Sequence, residues 1–343
     1  MSNETDNHRR WDGHTPGRYE VWYLTFNDPK TGDGFWIRYT LEAPTAGHGE
    51  PYAQLWFARF VSAAGTDPAR ATFGINRRHP IATMTAATGP FAVTIGANKL
   101  GHDHARGALA GAGHAAEWDL TWTPGRTMAW LPSVMYRRGG LGETTVLSPS
   151  PDLALRGSVT VDGVRYQLDG APGGQTHLWG SKHAFAWGWG HCNGFEGAPG
   201  VAFELLTVQL RRRGFTLPWL TLATLRLPDD EVALNRFDHA LLAPRPDRDS
   251  GRLRFAAVGL TAKLEGTYTA PLDRMVRAEY ADPDGDAAWC HNSCVADLTL
   301  KLSRRVRGRW RVDRELIARG RGHFELGART ADRAITRPHA SIE

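Results

Sequence analysis

Large and small side chains alternate with a period of two along much of this chain, and most sharply between His177 and Phe195. From residue 183 on, the odd positions are His183, Phe185, Trp187, Trp189, His191, Asn193 and Phe195, and the even ones are Ala184, Ala186, Gly188, Gly190, Cys192 and Gly194. Successive side chains of a strand point to opposite faces, so the stretch predicts a strand with one very large face and one nearly bare face. Glycines weaken a strand, and two of them here imply that another backbone or side chain packs closely on the bare side.

The same period recurs on both sides of this stretch. Tyr19–Phe26 and Gly34–Leu41 are rich in aromatic and β-branched residues, with turn chemistry between them over Asn27–Asp33. Gln54–Val61, Phe91–Ile95, Ala116–Thr123 and Gly157–Leu168 continue the series, the last holding an Asp162-Gly163 hairpin signal. After the central stretch come Val201–Arg211, Trp219–Leu227, Arg252–Leu264, Ala296–Ser303 and Arg309–Glu315. Helical periodicity is confined to short pieces, around Asp67–Thr72 or near the C-terminus. The chain is therefore read as all-β, and many short antiparallel strands point to sandwiches or barrels.

At 343 residues the chain exceeds what one core usually serves, and 41% apolar residues with 13 tryptophans supply material for two. A faint repeat, Gly17–Tyr23 against Trp179–Trp189, supports tandem barrels over 17–170 and 171–328, joined at the small, flexible Gly170–Gly174. Residues 1–16 and 329–343 read as tails. The polar start lacks a signal peptide's apolar segment and no run could span a bilayer, which points to a soluble, cytoplasmic protein. Three cysteines, an odd number, fit a reducing compartment and leave only a local Cys290–Cys294 bridge open.

A net charge of +5 and a pI near 9.3 raise the question of an anionic partner. The arginines are spread along the chain, with local density at Arg211–Arg213 and at Arg305, Arg307, Arg309 and Arg311. No zinc-finger, RNP-type or helix-turn-helix pattern accompanies them, so no specific nucleic-acid binding is expected, and weak contact with an anionic membrane surface stays open. The sequence does not indicate an oligomeric state.

The large face of the central strand mixes aromatics, imidazoles and an amide, groups that line an apolar pocket and still place a few hydrogen bonds in it. Two other readings stay beside this one. The face can be core packing alone, or His177, His183 and His191 with Cys192 can hold zinc. The spacing matches no usual ligand set, and on a strand Cys192 points away from His191, so no metal is assigned.

The Tyr19-Glu-Val-Trp-Tyr23 opening, the Trp118-Asp-Leu-Thr-Trp122 strand, the hairpin around Val161-Asp-Gly-Val164, and His177-Leu-Trp-Gly180 followed by Trp187-Gly-Trp-Gly-His-Cys-Asn193 resemble the double-lipocalin superfamily. Its members include carotenoid 1,2-hydratases (hydroxyneurosporene synthases), tocopherol cyclases and lipocalin-like pericyclases. The resemblance spans most of residues 15–325, and the Trp-x-Trp-x-x-Cys-Asn pattern is most similar to the tocopherol cyclases. It implies two lipocalin-like barrels, a hydrophobic ligand in or between them, and no cofactor.

Acid-promoted hydration or cyclisation needs a proton donor and a dry aromatic cage for the cation. Trp179, Trp187 and Trp189 are the cage candidates, with His183, Asn193, Phe195 and Trp22 as further binding residues. Glu204 lies in Val201–Val208, apolar on both faces, which predicts a buried carboxyl with a raised pKa. It ranks with His191 as the acid, and His177 is third. Asp119 and Asp297 fall on the polar faces of their strands. Trp289-Cys-His-Asn292 echoes the central motif, while the acidic run Tyr280–Asp286 reads as a turn. Three functions follow: a cofactor-independent hydratase, cyclase or pericyclase on an isoprenoid- or polyketide-like substrate; a binder or carrier of a hydrophobic molecule; or an interaction module whose aromatics only pack.

Overall fold

The computed structural model describes residues 4–62, 70–131 and 143–342. The first sheet begins with β1 (Arg18–Asn27), β2 (Gly34–Ala43), β3 (Tyr52–Phe60) and β4 (Phe73–Pro80). Short strands follow: β5 (Met84–Thr88), β6 (Phe91–Ile95), β7 (Asn98–Gly101), β8 (His104–Gly111), β9 (His114–Thr121) and β10 (Met128–Ala129). Two long ones, β11 (Thr144–Val161) and β12 (Val164–Gly180), complete this half.

The second half opens on β13 (Ala186–Cys192) and β14 (Ala202–Gln209), with β15 (Arg211–Arg212) and β16 (Phe215–Thr216) as a separate ribbon. Then come β17 (Leu220–Leu227), β18 (Asp230–Leu234), a short helix α1 (Phe237–Leu242), β19 (Asp247–Asp249), β20 (Arg252–Val258) and β21 (Ala262–Thr269). It closes with β22 (Val276–Ala281), β23 (Ala287–Val306) and β24 (Arg309–Ala328). Finally β25 (His339–Ile342) returns to the first sheet and pairs in parallel with β4.

Along the first sheet the order is β25-β4-β3-β2-β1-β12-β11-β9-β8-β7-β6-β5, and along the second β18-β17-β14-β13-β24-β23-β21-β20-β19. Among the described residues neither path closes on itself, so the expected barrels are strongly curled sheets. The reason is local: β25 occupies the edge of β4 that closure onto β5 would need. In the second sheet α1 packs between β17 and β20, across the corresponding gap. Packing brings the ends round instead. Leu55 and Phe57 of β3 share a core with Phe91 and Val93 of β6, and Phe203 of β14 shares another with Phe255 of β20.

A third core lies where the sheets face each other, built from β1, β2, β3, β13, β22 and β23. This arrangement explains the burial patterns. β9 alternates as a half-solvated strand should, with Trp118 and Leu120 inward and Glu117 and Asp119 out. β2 and β13 are buried on both faces. One face looks into its own sheet's core and the other onto the opposite sheet.

Turn chemistry agrees with the sequence at Asp162-Gly163, where φ values of 51° and 80° are those of a type I′ hairpin. Gly170–Gly174 is not a junction. It lies inside β12, where Gly170 (φ 72°) is the extra residue of a bulge between the Arg156–Asp169 and Leu155–Ala171 pairs. The chain crosses between the sheets at 181–185. The supposed tails are packed too: Asn7 is fully buried against Gln175, and a strand, β25, stands near the C-terminus where a short helix was expected. The Asp67–Thr72 helix falls mostly outside the described residues. No helix among them is long and apolar enough to cross a membrane.

Candidate functional site between the sheets

β13 is flanked by β14 and β24, and directly opposed residues of neighbouring strands share a face. Register therefore lays out rows across the sheet: Glu204, His191 and His323; Leu206, Trp189, Glu325 and Asn292; Val208, Trp187 and Gly327. All of these project towards the first sheet. The bare face turns inward, as the two glycines imply. A Cβ on Gly190 would lie 2.4 Å from the Tyr268 ring, and one on Gly188 would lie 2.8 Å from Leu253.

The first sheet answers with its own rows. Thr176, Tyr23, Arg38 and Trp56 align across β12, β1, β2 and β3, beside Thr25, Trp36 and Ala58. Tyr23 meets Trp189 edge-on with centroids 5.6 Å apart, so the strands of the faint internal repeat touch each other. Tyr280 of β22 packs on Trp56 at 5.8 Å, and the His339 ring of β25 lies over Gly74 against Trp36 and Trp56, each at 5.5 Å. The result is a packed aromatic layer between the sheets, with ionisable groups among its rings.

Glu204 is 2% exposed, and neither carboxyl oxygen has a hydrogen-bond partner among the described residues. The Nε1 of Trp189 is unpartnered as well. Burial pushes the carboxyl up to about 8, against smaller opposing effects from the nearby Ser148, Trp189 and Arg226. At neutral pH it holds a proton, with the Ser148 hydroxyl and the Trp189 indole as its polar neighbours. Ser148 itself accepts from Trp130 Nε1 at 3.2 Å, which places another indole beside the acid.

The imidazoles are differently placed. His191 Nε2 meets Pro151 O at 2.8 Å and its Nδ1 meets His323 Nδ1 at 2.8 Å. Gly174 permits this, since a Cβ there would lie 2.7 Å from His191 Nε2. Burial pushes His191 down to about 4, so it is neutral at pH 7 and its nitrogens are engaged. His183 lies between Tyr19 and Tyr280, at 4.6 and 5.1 Å, with its Nδ1 2.6 Å from Asp282 Oδ1. Burial pushes Asp282 up, but hydrogen bonds to His183 and Arg329 outweigh it and leave the carboxyl below its ordinary value.

Trp187 and Trp189 belong to this layer, with Trp187 Nε1 donating to Glu325 Oε1 at 2.6 Å. His177, Trp22 and Trp179 lie elsewhere. Trp22 belongs to the first sheet's core and stacks on His177 at 4.9 Å, whose nitrogens meet Asp6 O and Glu20 Oε1. Trp179 leans on the same ring under Arg10. Even-numbered β1 positions face inward, and residues 4–11 cover that end of the sheet. Phe195 is core of the second sheet, and Asn193 bonds to Asp152 and Leu153 at the rim. The three histidines of the zinc reading thus have separate partners. Among the described residues no three metal-ligating side chains converge, and the three cysteines are free.

Arg38, Glu42, Tyr23, Trp36, Trp56, Glu325 and His323 escaped the sequence reading. An open cleft of about 580 Å³ lies away from this layer, lined by Arg245, Arg254, Glu265, Lys301 and Glu315 among others. Its mixed charges suit a hydrophobic molecule less well than the aromatic layer does.

Similar folds occur in solved structures. An AttH-like protein of Nitrosomonas europaea superposes with a TM-score of 0.58 at 15% identity, covering 96% of this chain and 97% of that one. CghA superposes at 0.51 with 13% identity (96% and 93% covered), and kievitone hydratase of Nectria haematococca at 0.51 with 12% identity (90% and 88%). The architecture is thus the all-β, lipocalin-like fold that these solved structures share. Within it, the chain belongs to the family of an uncharacterized protein of Mycobacterium tuberculosis. The proteins from two strains of that organism are 30% identical to it over 339 residues, 95% of this chain and 91% of theirs. No protein-family model matches the sequence.

Proposed function

We propose that the protein is a cofactor-independent enzyme that protonates a hydrophobic, isoprenoid- or polyketide-like substrate held between the two sheets. Hydration and cyclisation of the tocopherol-cyclase kind both begin with protonation by one acid in dry, aromatic surroundings, and in an acid-promoted pericyclic closure the same carboxyl would polarise a substrate carbonyl by hydrogen bonding. The carrying observation is Glu204: a buried, protonated carboxyl with no partner for either oxygen, beside unpartnered Trp189 Nε1. Leaving such a group unmatched costs about 1–3 kcal/mol, a cost that a substrate contact would offset. After proton transfer, the faces of Trp189, Trp187 and Tyr23 suit a carbocation, each contributing about 0.5–2 kcal/mol when desolvated. Kievitone hydratase, with the same fold, is by name an enzyme of this hydrating type.

The test is mass spectrometry of products after incubation with a panel of prenylated phenols and polyenes. The reading expects either gain of one water or an isomer of unchanged mass, lost in Glu204→Gln while substrate affinity stays within about threefold. Turnover that survives Glu204→Gln removes Glu204 as the acid. Saturable binding with no conversion across the panel makes the protein a carrier.

A further inference from the structure

The layer between the sheets holds a set of buried polar atoms without partners among the described residues. Arg38, in the middle of β2, is 4% exposed. Its guanidinium is boxed by aromatic rings: Tyr280 at 4.1 Å, Trp56 at 5.5 Å and Trp36 at 5.6 Å. Nε donates to Thr40 Oγ1 at 2.9 Å, the one side-chain hydrogen bond of Arg38 among the described residues, and no carboxylate oxygen there lies within ion-pair distance of it. Around it, Trp56 Nε1, the Tyr280 hydroxyl and both His339 nitrogens also lack partners. The Cys290 thiol beside Tyr280 is too weak an acceptor to change this.

A buried cation normally has its counter-charge at hand, because an uncompensated one costs several kcal/mol. The nearby carboxyls have other partners or are disfavoured as anions: Asp282 is committed to His183 and Arg329, Glu325 accepts from Trp187 Nε1, and burial pushes the Glu42 carboxyl well up against the pull of Arg38. With the Arg38 plane covered by rings and Nε taken, what remains is the edge formed by Nη1 and Nη2. That edge matches a carboxylate in two parallel charge-assisted hydrogen bonds.

We infer that Arg38 and its unpaired neighbours bind the carboxylate of an amphiphilic substrate, whose apolar body lies along Trp36, Tyr23 and Trp189. This rests on the layer between the sheets being the substrate site and adds to it the class of molecule: a hydrophobic acid rather than a neutral hydrocarbon. Arg38 is then a specificity-determining residue at a distance from the proton donor, and Tyr23 pairs with it across β1 and β2 while its ring meets Trp189.

The experiment is calorimetric titration of the full-length protein at neutral pH with two probes, pyrenebutyrate and its uncharged methyl ester. The wild type is expected to bind the acid at least about tenfold more tightly than the ester, a single charge-assisted contact being sufficient for that ratio. Arg38→Met binds both at the ester's affinity, and Arg38→Lys falls between. Equal affinity of the wild type for the two probes overturns the inference while leaving the proposed substrate site intact, as does a preference that persists in Arg38→Met. Failure of both probes to bind the wild type defeats the proposed substrate site itself, and this inference with it. Where Arg38→Met does not fold, Trp56→Phe, which deletes one unpaired N–H, reduces the acid's advantage several-fold; an unchanged ratio there and in Arg38→Lys counts against the assignment.

Discussion

His191 Nδ1 and His323 Nδ1 lie 2.8 Å apart, and the outer nitrogen of each ring faces an oxygen: Pro151 O at 2.8 Å and Asn27 Oδ1 at 2.9 Å. Asn27 is oriented by its own amide, which donates to Cys294 O at 2.6 Å. Three hydrogen bonds in this line need three protons, and two neutral imidazoles carry two. Burial opposes the third, pushing His191 to about 4 and His323 well below its ordinary value, the latter also through repulsion by His191. Geometry invites a proton that the low dielectric refuses.

The consequence is an acid-sensitive seam. A histidine whose folded pKa is depressed stabilises the fold fully above its unfolded pKa near 6.5 and loses that contribution as pH falls towards 4. For His191 the loss is about 3 kcal/mol. Glu204, protonated over that window, and Asp152 are the carboxyls that face the ring; the charge of Asp152 reduces the loss slightly. Urea midpoints should fall between pH 7 and pH 4 in the wild type and much less in the His191→Gln/His323→Gln pair. An equally steep fall in both locates the sensitivity elsewhere.

Glu204 has the opposite sign. Its folded pKa is raised, so its contribution is intact below the unfolded value near 4.5 and is lost as pH rises to about 8. Glu204→Gln should therefore stabilise the protein by up to about 3 kcal/mol at pH 7 and about 5 above pH 8, with little effect at pH 4. Chemical denaturation at three pH values measures it. A variant equally destabilised at all three contradicts the unpartnered carboxyl.

Gly190 should tolerate no side chain. Gly190→Ala drives a methyl group into the Tyr268 ring and should cost about 1–3 kcal/mol. Gly188→Ala meets the mobile end of Leu253 and the Thr207 hydroxyl and should cost less. Combining Gly190→Ala with Tyr268→Leu should recover part of the loss in a thermal melt, and purely additive effects would show the ring is not the obstacle.

Glu20 anchors the segment before β1 by accepting from the Arg10 and Trp11 amides and meeting His177. Glu20→Ala should destabilise by about 3 kcal/mol and make residues 4–16 sensitive to protease. Pyrenebutyrate affinity should not move. A large drop would mean that the ligand extends into the first sheet's core, beside Trp22 and His177.

How far the sequence speaks can be judged on β13 and β2. The odd and even faces of β13 are written in its residues, and the glycines correctly foretell a side chain on the bare side, because a period of two is a local property. In β2 the odd positions Phe35, Ile37, Tyr39 and Leu41 alternate with Trp36, Arg38, Thr40 and Glu42, the pattern of a strand with one wet face. Only a second sheet, packed against that face, turns Arg38 and Glu42 into buried groups, and no local pattern announces it. Glu325 was missed for the same reason. His177 was misplaced because its partners come from Asp6 and Glu20, which spacing around residue 177 cannot reveal. The all-β class and most strands were legible; closure was not, since it turns on β25 occupying one edge and α1 one gap.

β25 gives the assembly a timetable. While the chain is being synthesised, strands emerge in order, and the outer edge of β4 together with the Trp36–Trp56 pair has no cover until residues 339–342 leave the ribosome. A nascent chain stalled after the second sheet would display an unpaired edge and an uncovered aromatic pair side by side, both features that recruit chaperones or neighbouring chains. His339 thus covers Trp36 and Trp56 only in molecules whose translation has run past it.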